Sequence, residues 1–371
     1  MRFIEELARR ALFTALMRRT RRQENVRADD LPARGRRVLF IAEDAIGDTI
    51  LTLPAIRAIA TAHPYNEVDV VTWPTAAQLF ENVHYVRDVI TFPRYDTRRA
   101  AAMRIIRDHG PYDAVVDGMV LRRHVRSRSL AMMLGSGAEY WVGEGDRGSD
   151  YVFNVTTPRP SETTTHLDRM LALAAPFGFQ AASMRPVLAV RPSERAGARW
   201  TWEGDASAMR VLINISTNGP ERRWSPMNFA AVAAHLRRRR PMARIVVAAM
   251  EHDRYTAEYV ASAADGRAIV PNLRELIALV ESADLVVSPD TAVCHMASAF
   301  RSRLVSLHNA GKEAWHPFET PGLRVISRSP ESLDSISARE VAQAVDQVLN
   351  QLVLNTSFST DAIPLAAASS M

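Results

Sequence analysis

The chain contains a single cysteine, Cys294, in 371 residues. An internal disulfide is therefore excluded, as is any metal site built from several thiolates, and this usage fits a reducing compartment. No apolar run approaches the roughly 20 residues that a bilayer-spanning helix needs. The first residues lack an uninterrupted apolar stretch followed by a small-residue cleavage site, so no secretory signal is expected. Signature motifs are scarce too. There is no Asp-x-Asp pair to hold a metal-bridged diphosphate. No Gly-x-Gly-x-x-Gly follows the first strand, and neither a Walker lysine loop nor a Gly-x-Ser-x-Gly elbow is present. A dinucleotide-dependent oxidoreductase would share an α/β fold but lacks its fingerprint here.

Positive charge is absent as a feature of the body of the chain. Residues 1–40 hold eleven arginines against five acidic residues, whereas residues 41–371 carry 35 basic and 36 acidic residues. A nucleic-acid-binding body would need a basic face with aromatic stacking or a reading helix, and neither is evident, so no nucleic-acid partner is expected. What remains is ordinary: 47% apolar and 23% charged residues, in a chain long enough for two domains with proper cores.

Residues 2–19 place Phe3, Ile4, Leu7, Ala8, Ala11, Leu12, Ala15 and Leu16 on one helical stripe, with arginines crowding the rest. Such a helix suits an anionic membrane interface, through residues 2–22, or equally the protein's own surface. A linker should follow, so residues 1–35 form an N-terminal helix and linker. From Arg36 short apolar strands alternate with amphipathic helices. Strands are expected at 37–42, 67–72, 88–92, 113–117 and 140–143, and helices near 48–63, 75–81, 97–109, 121–134 and 167–177. The stretch 157–166 reads as irregular, and 178–207 breaks the rhythm. A second alternation gives strands at 210–215, 243–249, 284–288 and 303–307, with helices at 226–239, 253–264, 272–281 and 292–300. This predicts an α/β fold of two Rossmann-like domains with parallel sheets, 36–180 and 208–330, joined at 181–207. A C-terminal helix over 331–354 and a disordered tail from Asn355 complete the chain.

The organising stretch is 37–57. The apolar run Val38-Leu39-Phe40-Ile41-Ala42 reads as a buried parallel strand, then Glu43-Asp44-Ala45-Ile46-Gly47 as a polar turn, then a helix opening at Asp48. Ligands of open α/β sheets gather at strand carboxyl ends, so Asp48 is both a candidate N-cap and a carboxylate aimed at a cleft. Pro54 implies a kink or a later helix start.

Three stretches now bear on identity. The segment AEDAIGDTILTLPAIRAI at 42–59 resembles the N-terminal signature of glycosyltransferase family 9, the heptosyltransferase-like enzymes of bacterial surface polysaccharides. The segment VLINISTNGPERRWSPMNF at 211–229 runs strand, glycine-containing loop, helix, a natural anion site. Its Arg222-Arg223-Trp224-Ser225-Pro226 is similar to the family's basic residue–x–Trp-Pro, with arginine for lysine and an inserted serine. The segment DLVVSPDTAVCHMASAF at 284–300 resembles the family's donor-site element Asp-Ser/Thr-Gly-x-x-His-x-x-Ala. Asp290, Thr291 and His295 match, Ala292 replaces the glycine beside Val293, and the alanine falls one residue late, at Ala299. Leu307-His308-Asn309-Ala310-Gly311 departs from the usual turn after the last strand. The likeness extends over roughly residues 37–350.

The resemblance implies a GT-B architecture in which the second domain holds a nucleotide sugar, ADP-heptose as first guess, and the first receives the acceptor. It implies inverting transfer with Asp48 as general base, flanked by Gly47 and Thr49 in an acceptor-side loop. Thr217, Asn218 and Arg222 would face the diphosphate, Asp253 or Glu251 the ribose and Leu273 the base. Asp290, Thr291, Ala292, Val293 and His295 would form the rest of the donor site. No cofactor and no metal are expected. The acceptor would be a lipopolysaccharide-core or other surface saccharide, and the location cytoplasmic, peripheral on the inner membrane face. The competing readings are a non-catalytic relative and an epimerase or hydrolase on the same architecture.

Overall fold

The computed structural model describes residues 35–357 apart from 94–97, 121–124, 146–151, 159–160, 162–163, 180–183 and 204–206, with the helix path alone over 351–357. The expected N-terminal helix and the tail beyond Ser357 lie outside the described residues.

The first half contains strands β1 (Arg37–Ile41), β2 (Glu67–Thr72), β3 (Asp88–Thr91), β4 (Ala114–Asp117), β5 (Tyr140–Glu144) and β6 (Val155–Thr157). Its helices are α1 (Ile46–Ala62), α2 (Pro74–Ala77), α3 (Arg99–His109), α4 (Ser127–Ser136) and α5 (His166–Ala172). The second half contains β7 (Arg210–Asn214), β8 (Arg244–Ala248), β9 (Arg267–Ile269), β10 (Leu285–Pro289), β11 (Arg303–His308) and β12 (Gly322–Ile326). With it go α6 (Pro192–Trp202), α7 (Pro226–Arg239), α8 (Arg254–Ser262), α9 (Leu273–Ser282), α10 (Ala292–Phe300) and α11 (Ala338–Ser357).

Each half is one six-stranded sheet, ordered β3-β2-β1-β4-β5-β6 and β12-β11-β10-β7-β8-β9. Every strand pairing is parallel. Read from β9, the second order repeats the first, so both are doubly wound with a switch point, between β1 and β4 and between β7 and β10. Crossover helices cover both faces, which is why β1 carries an unbroken apolar run. Alternate residues then go to different cores. Leu39 and Ile41 face an outer layer with Ile106, Met132 and Trp141. Val38 and Phe40 face an inner cluster that continues without a break into Leu212, Val286 and Met296 of the second half. A third cluster backs the second sheet and takes in Val341, Val345 and Leu349 of α11.

α1 lies inside the shared cluster, with Ile50, Leu51, Leu53, Ile56 and Ile59 almost fully buried. At about 1.5–3 kcal/mol for each such side chain, this helix is a major gross contributor to the shared core. Polar ties add specificity. The buried Arg274 reaches Gln78 O (3.1 Å) in the first half and the Glu194 carboxylate (2.6 Å) in α6. Arg57 donates to Met184 Sδ (3.1 Å) and Arg185 O (3.3 Å), and Arg185 donates to Ser298 O (2.6 Å).

Several sequence expectations need correction. α1 begins at Ile46 with Ala45 as N-cap, so Asp48 stands in the first turn rather than capping it, and the helix continues through Pro54. Gly47 and Thr49 are accordingly helical, not loop residues. The irregular stretch 157–166 touches β6, whose three residues are too few to show alternation. The expected break at 178–207 holds α6, which starts at Pro192 in the first helical position and packs on α9. The edge strands β9 and β12 escaped notice because they are short or largely exposed. Finally, α11 runs on to Ser357, past the expected start of the tail.

Candidate functional site

The residues of interest stand where strands end. Asp48 follows β1 at the first switch point, while Thr217 and Asp290 follow β7 and β10 at the second. The two ends meet because α1 packs directly on α10. A Cβ on Gly47 would lie 3.1 Å from His295 Cδ2 and 3.5 Å from Ala292 Cα. Gly47 thus permits a close helix crossing between the halves. It leaves no loop for an acceptor there. Thr49 is fully buried and its hydroxyl donates to Ala45 O (3.0 Å), so its side chain cannot touch a ligand.

Asp48 is held across the same seam. Trp315, in the turn after β11, donates its indole N–H to Asp48 Oδ1 at 3.2 Å. His166 of α5 brings Nε2 within 3.9 Å of that oxygen. The His166 ring lies nearly parallel to the Trp315 indole, 17° between planes with centroids 6.3 Å apart. Its two nitrogens are buried without a hydrogen-bond partner. Burial first, then the nearby Arg169 and His295, lowers His166 to about 3, so it is neutral at physiological pH. His295 is buried as well and lowered by that burial to about 4.

The second half supplies the polar cradle. Thr291 caps α10, its hydroxyl accepting from Val293 N–H (3.3 Å) while Asn214 Nδ2 donates to it (3.3 Å). The cap is then fixed before any ligand arrives. Val293 is core-buried, leaving only backbone at that position, and Ala292 is spent on the crossing with Gly47. Arg222 donates to Asp290 O (3.3 Å) and lies 3.2 Å from Glu221. The chain's one lysine, Lys312, is exposed in the turn that carries Trp315. Burial pushes Asp290 up to about 6, against the opposing pull of Arg222 and Lys312. Thr217 is buried with its hydroxyl on Gly219 O (2.9 Å), whereas Asn218 is exposed. Asp253 accepts from Ser216 Oγ (2.7 Å), the hydroxyl that itself accepts from Met250 N–H (2.8 Å), which ties the loops after β7 and β8. Leu273 opens α9 half-buried against the shared core. Among the described residues no group of three or more His, Cys, Asp and Glu side chains is arranged to hold a metal ion. None of the described helices is long and apolar enough to cross a membrane.

Sequence reasoning missed Trp315, His166, His308 and Lys312. His308 Nδ1 lies 3.7 Å from Asp290 Oδ1, and its Nε2 is 2.9 Å from Ser306 Oγ. The available signals were modest: a tryptophan and an isolated lysine in a polar turn after a strand, and a histidine directly after the Thr165 cap of α5.

This arrangement joins a carboxylate of one sheet to an anion-suited cradle of the other, on a fold that known proteins share. Solved structures with the same fold include a family 9 glycosyltransferase from Veillonella parvula, 17% identical, with a TM-score of 0.73 over 85% of this chain and 97% of that one. The ADP-heptose lipopolysaccharide heptosyltransferase II of E. coli is also 17% identical, with a TM-score of 0.68 over 85% and 99% of the chains. E. coli heptosyltransferase WaaC, solved with ADP, is 17% identical with a TM-score of 0.67 over 84% and 99%. No curated protein matches the sequence. The model of glycosyltransferase family 9 (heptosyltransferase) matches residues 103–329, most of the chain. With the doubly wound pair of sheets and these residues in family order, the chain belongs to glycosyltransferase family 9 and is a glycosyltransferase.

Proposed function

We propose that this enzyme moves a heptose, with ADP-heptose as the first donor to test, onto a saccharide of the lipopolysaccharide core or another surface polysaccharide, inverting the anomeric carbon without a metal ion. The observation that carries this reading is the placement of Asp48 against the donor-type half, with Trp315 on its carboxylate. In the proposed step the acceptor oxygen bonds to the anomeric carbon as the bond from that carbon to the phosphate oxygen breaks. The acceptor proton passes to Asp48, and the electron pair leaves with the nucleoside diphosphate. A positioned base of this kind contributes about a hundred- to ten-thousand-fold.

The departing charge would be met by Arg222, Lys312 and the amides of the 217–219 loop and the α10 start. Asn218, exposed within that loop, would face the phosphates. Asp253 would hold ribose hydroxyls, Asp290 would accept from sugar hydroxyls, and Leu273 would lie toward the base. Buried His295 backs the cradle as a neutral group. The basic N-terminal segment would dock the enzyme on the cytoplasmic face of the inner membrane, near a lipid-linked acceptor.

Asp48→Asn tests the mechanism. It should abolish transfer while leaving ADP binding intact, measured by product formation and by calorimetric titration. Turnover within a few-fold of wild type would remove Asp48 from the chemistry. Donor consumption without any acceptor would instead favour an epimerase or hydrolase.

A further inference from the structure

Asp48 belongs to the first half and Trp315 to the second, yet the indole N–H ends on Oδ1. His166 Nε2 approaches the same oxygen from a fully buried ring whose nitrogens have no hydrogen-bond partner. Two rings stacked on one another approach one carboxylate oxygen, the indole as hydrogen-bond donor and the imidazole at 3.9 Å without a hydrogen bond. A base that accepts a proton on one oxygen gains from having the other anchored, because the rotation that would mis-aim it is then removed.

We infer that Trp315 is a positioning residue that aims Asp48 only while the two halves are apposed, with His166 as the second ring of the clamp; this rests on Asp48 being the base proposed above. If the halves part, the indole leaves with its own half and the carboxylate loses that hydrogen bond. The aim of the base is thereby tied to domain apposition. Hydrogen bonds to ionised groups are the stronger kind, and they favour the charged form. Other titratable or charged groups on the elements packed around the first turn of α1 are Asp44 before it, His166, Asp168 and Arg169 of α5, His295 of α10, and Lys312, Glu313 and His316 beside Trp315.

The chain has six tryptophans, so its indole ¹H–¹⁵N signals are few enough to follow one by one. The wild-type protein should show one indole signal that is missing in Trp315→Phe and that moves with pH as Asp48 titrates. In Asp48→Asn that movement should vanish, which separates it from titration of His316 or His166. Trp315→Phe keeps an aromatic ring in the stack and removes the N–H together with part of the ring surface. It should raise the Asp48 midpoint, read by ¹³C carboxyl signals, by about one pH unit, and lower kcat with ADP-heptose about tenfold at unchanged donor KM. A Trp315 signal that ignores Asp48, or a midpoint and kcat unchanged in Trp315→Phe, overturns the inference. Retained turnover in Asp48→Asn instead overturns the base assignment itself, and the inference with it.

Discussion

Replacing Asp290 by asparagine should make the protein more stable at neutral pH and less active. The carboxyl stands at the end of β10, where burial pushes it up from 3.8 to about 6. Arg222 and Lys312 oppose this without cancelling it. His308 Nδ1 is 3.7 Å away but offers no countercharge, because burial lowers that histidine to about 3. A folded-state value above the unfolded one means that the folded protein prefers the protonated acid. The stability this confers is fully present below about pH 4 and is lost as pH rises through about 6. Over that interval the loss amounts to about 3 kcal/mol. Asparagine has nearly the same shape and no charge to desolvate, though its amide carries some burial cost of its own. An advantage of about 2 kcal/mol at pH 7.5 is therefore expected, a rise in Tm of a few degrees for a chain of this size. Differential scanning calorimetry of both proteins at pH 4.5, 6 and 7.5 reads it directly, and the curves should converge at the acid end. Activity should fall because the ionised acceptor proposed for sugar hydroxyls becomes a neutral amide, the usual exchange of function for stability. A variant less stable than wild type at pH 7.5, or a difference that does not change with pH, would refute the reasoning.

Gly47→Ala should leave Tm within a degree or two, since a helix-propensity gain of about 1 kcal/mol offsets an overpacking cost of about 1–3 kcal/mol against His295. Its kcat should nonetheless drop as α1 is pushed off α10, and wild-type kcat would show that the crossing is slack. Acetylation of Lys312, the one lysine, followed by peptide mass spectrometry should slow when ADP is present, and equal labelling with and without ADP would remove Lys312 from the donor site. Deletion of residues 2–22 should shift the protein from the membrane to the soluble fraction of a cell lysate. Unchanged fractionation would assign that segment to packing.

Where periodicity and punctuation agree, the elements were legible in advance: α7 and α10 begin and end as read, and β2 matches residue for residue. Strands buried on both faces announce themselves as apolar runs, as β1 does. α6 was hidden by its arginines, although Pro192 was a usable start signal. The site was legible only within single stretches. Asp48, Asp290 and Thr291 each lie in a motif, whereas the bond between Asp48 and Trp315 joins residues 267 positions apart. No local pattern encodes such a meeting. It follows from two switch points turned toward each other, a property of the assembled sheets.

The crossover segment deserves a mechanical reading. Residues 184–191 have no regular structure, and as a loose tether eight such residues would allow drift of about 15 Å. Their first two positions are instead clamped from both sides, by Arg57 reaching Met184 Sδ and Arg185 O, and by Arg185 itself reaching Ser298 O. The connection is thus pinned at its start rather than strung loosely between the halves. Were the halves to turn while those bonds hold, spacings at the distant rim would change more than those beside the clamp, and admission of substrates would become a question of angle.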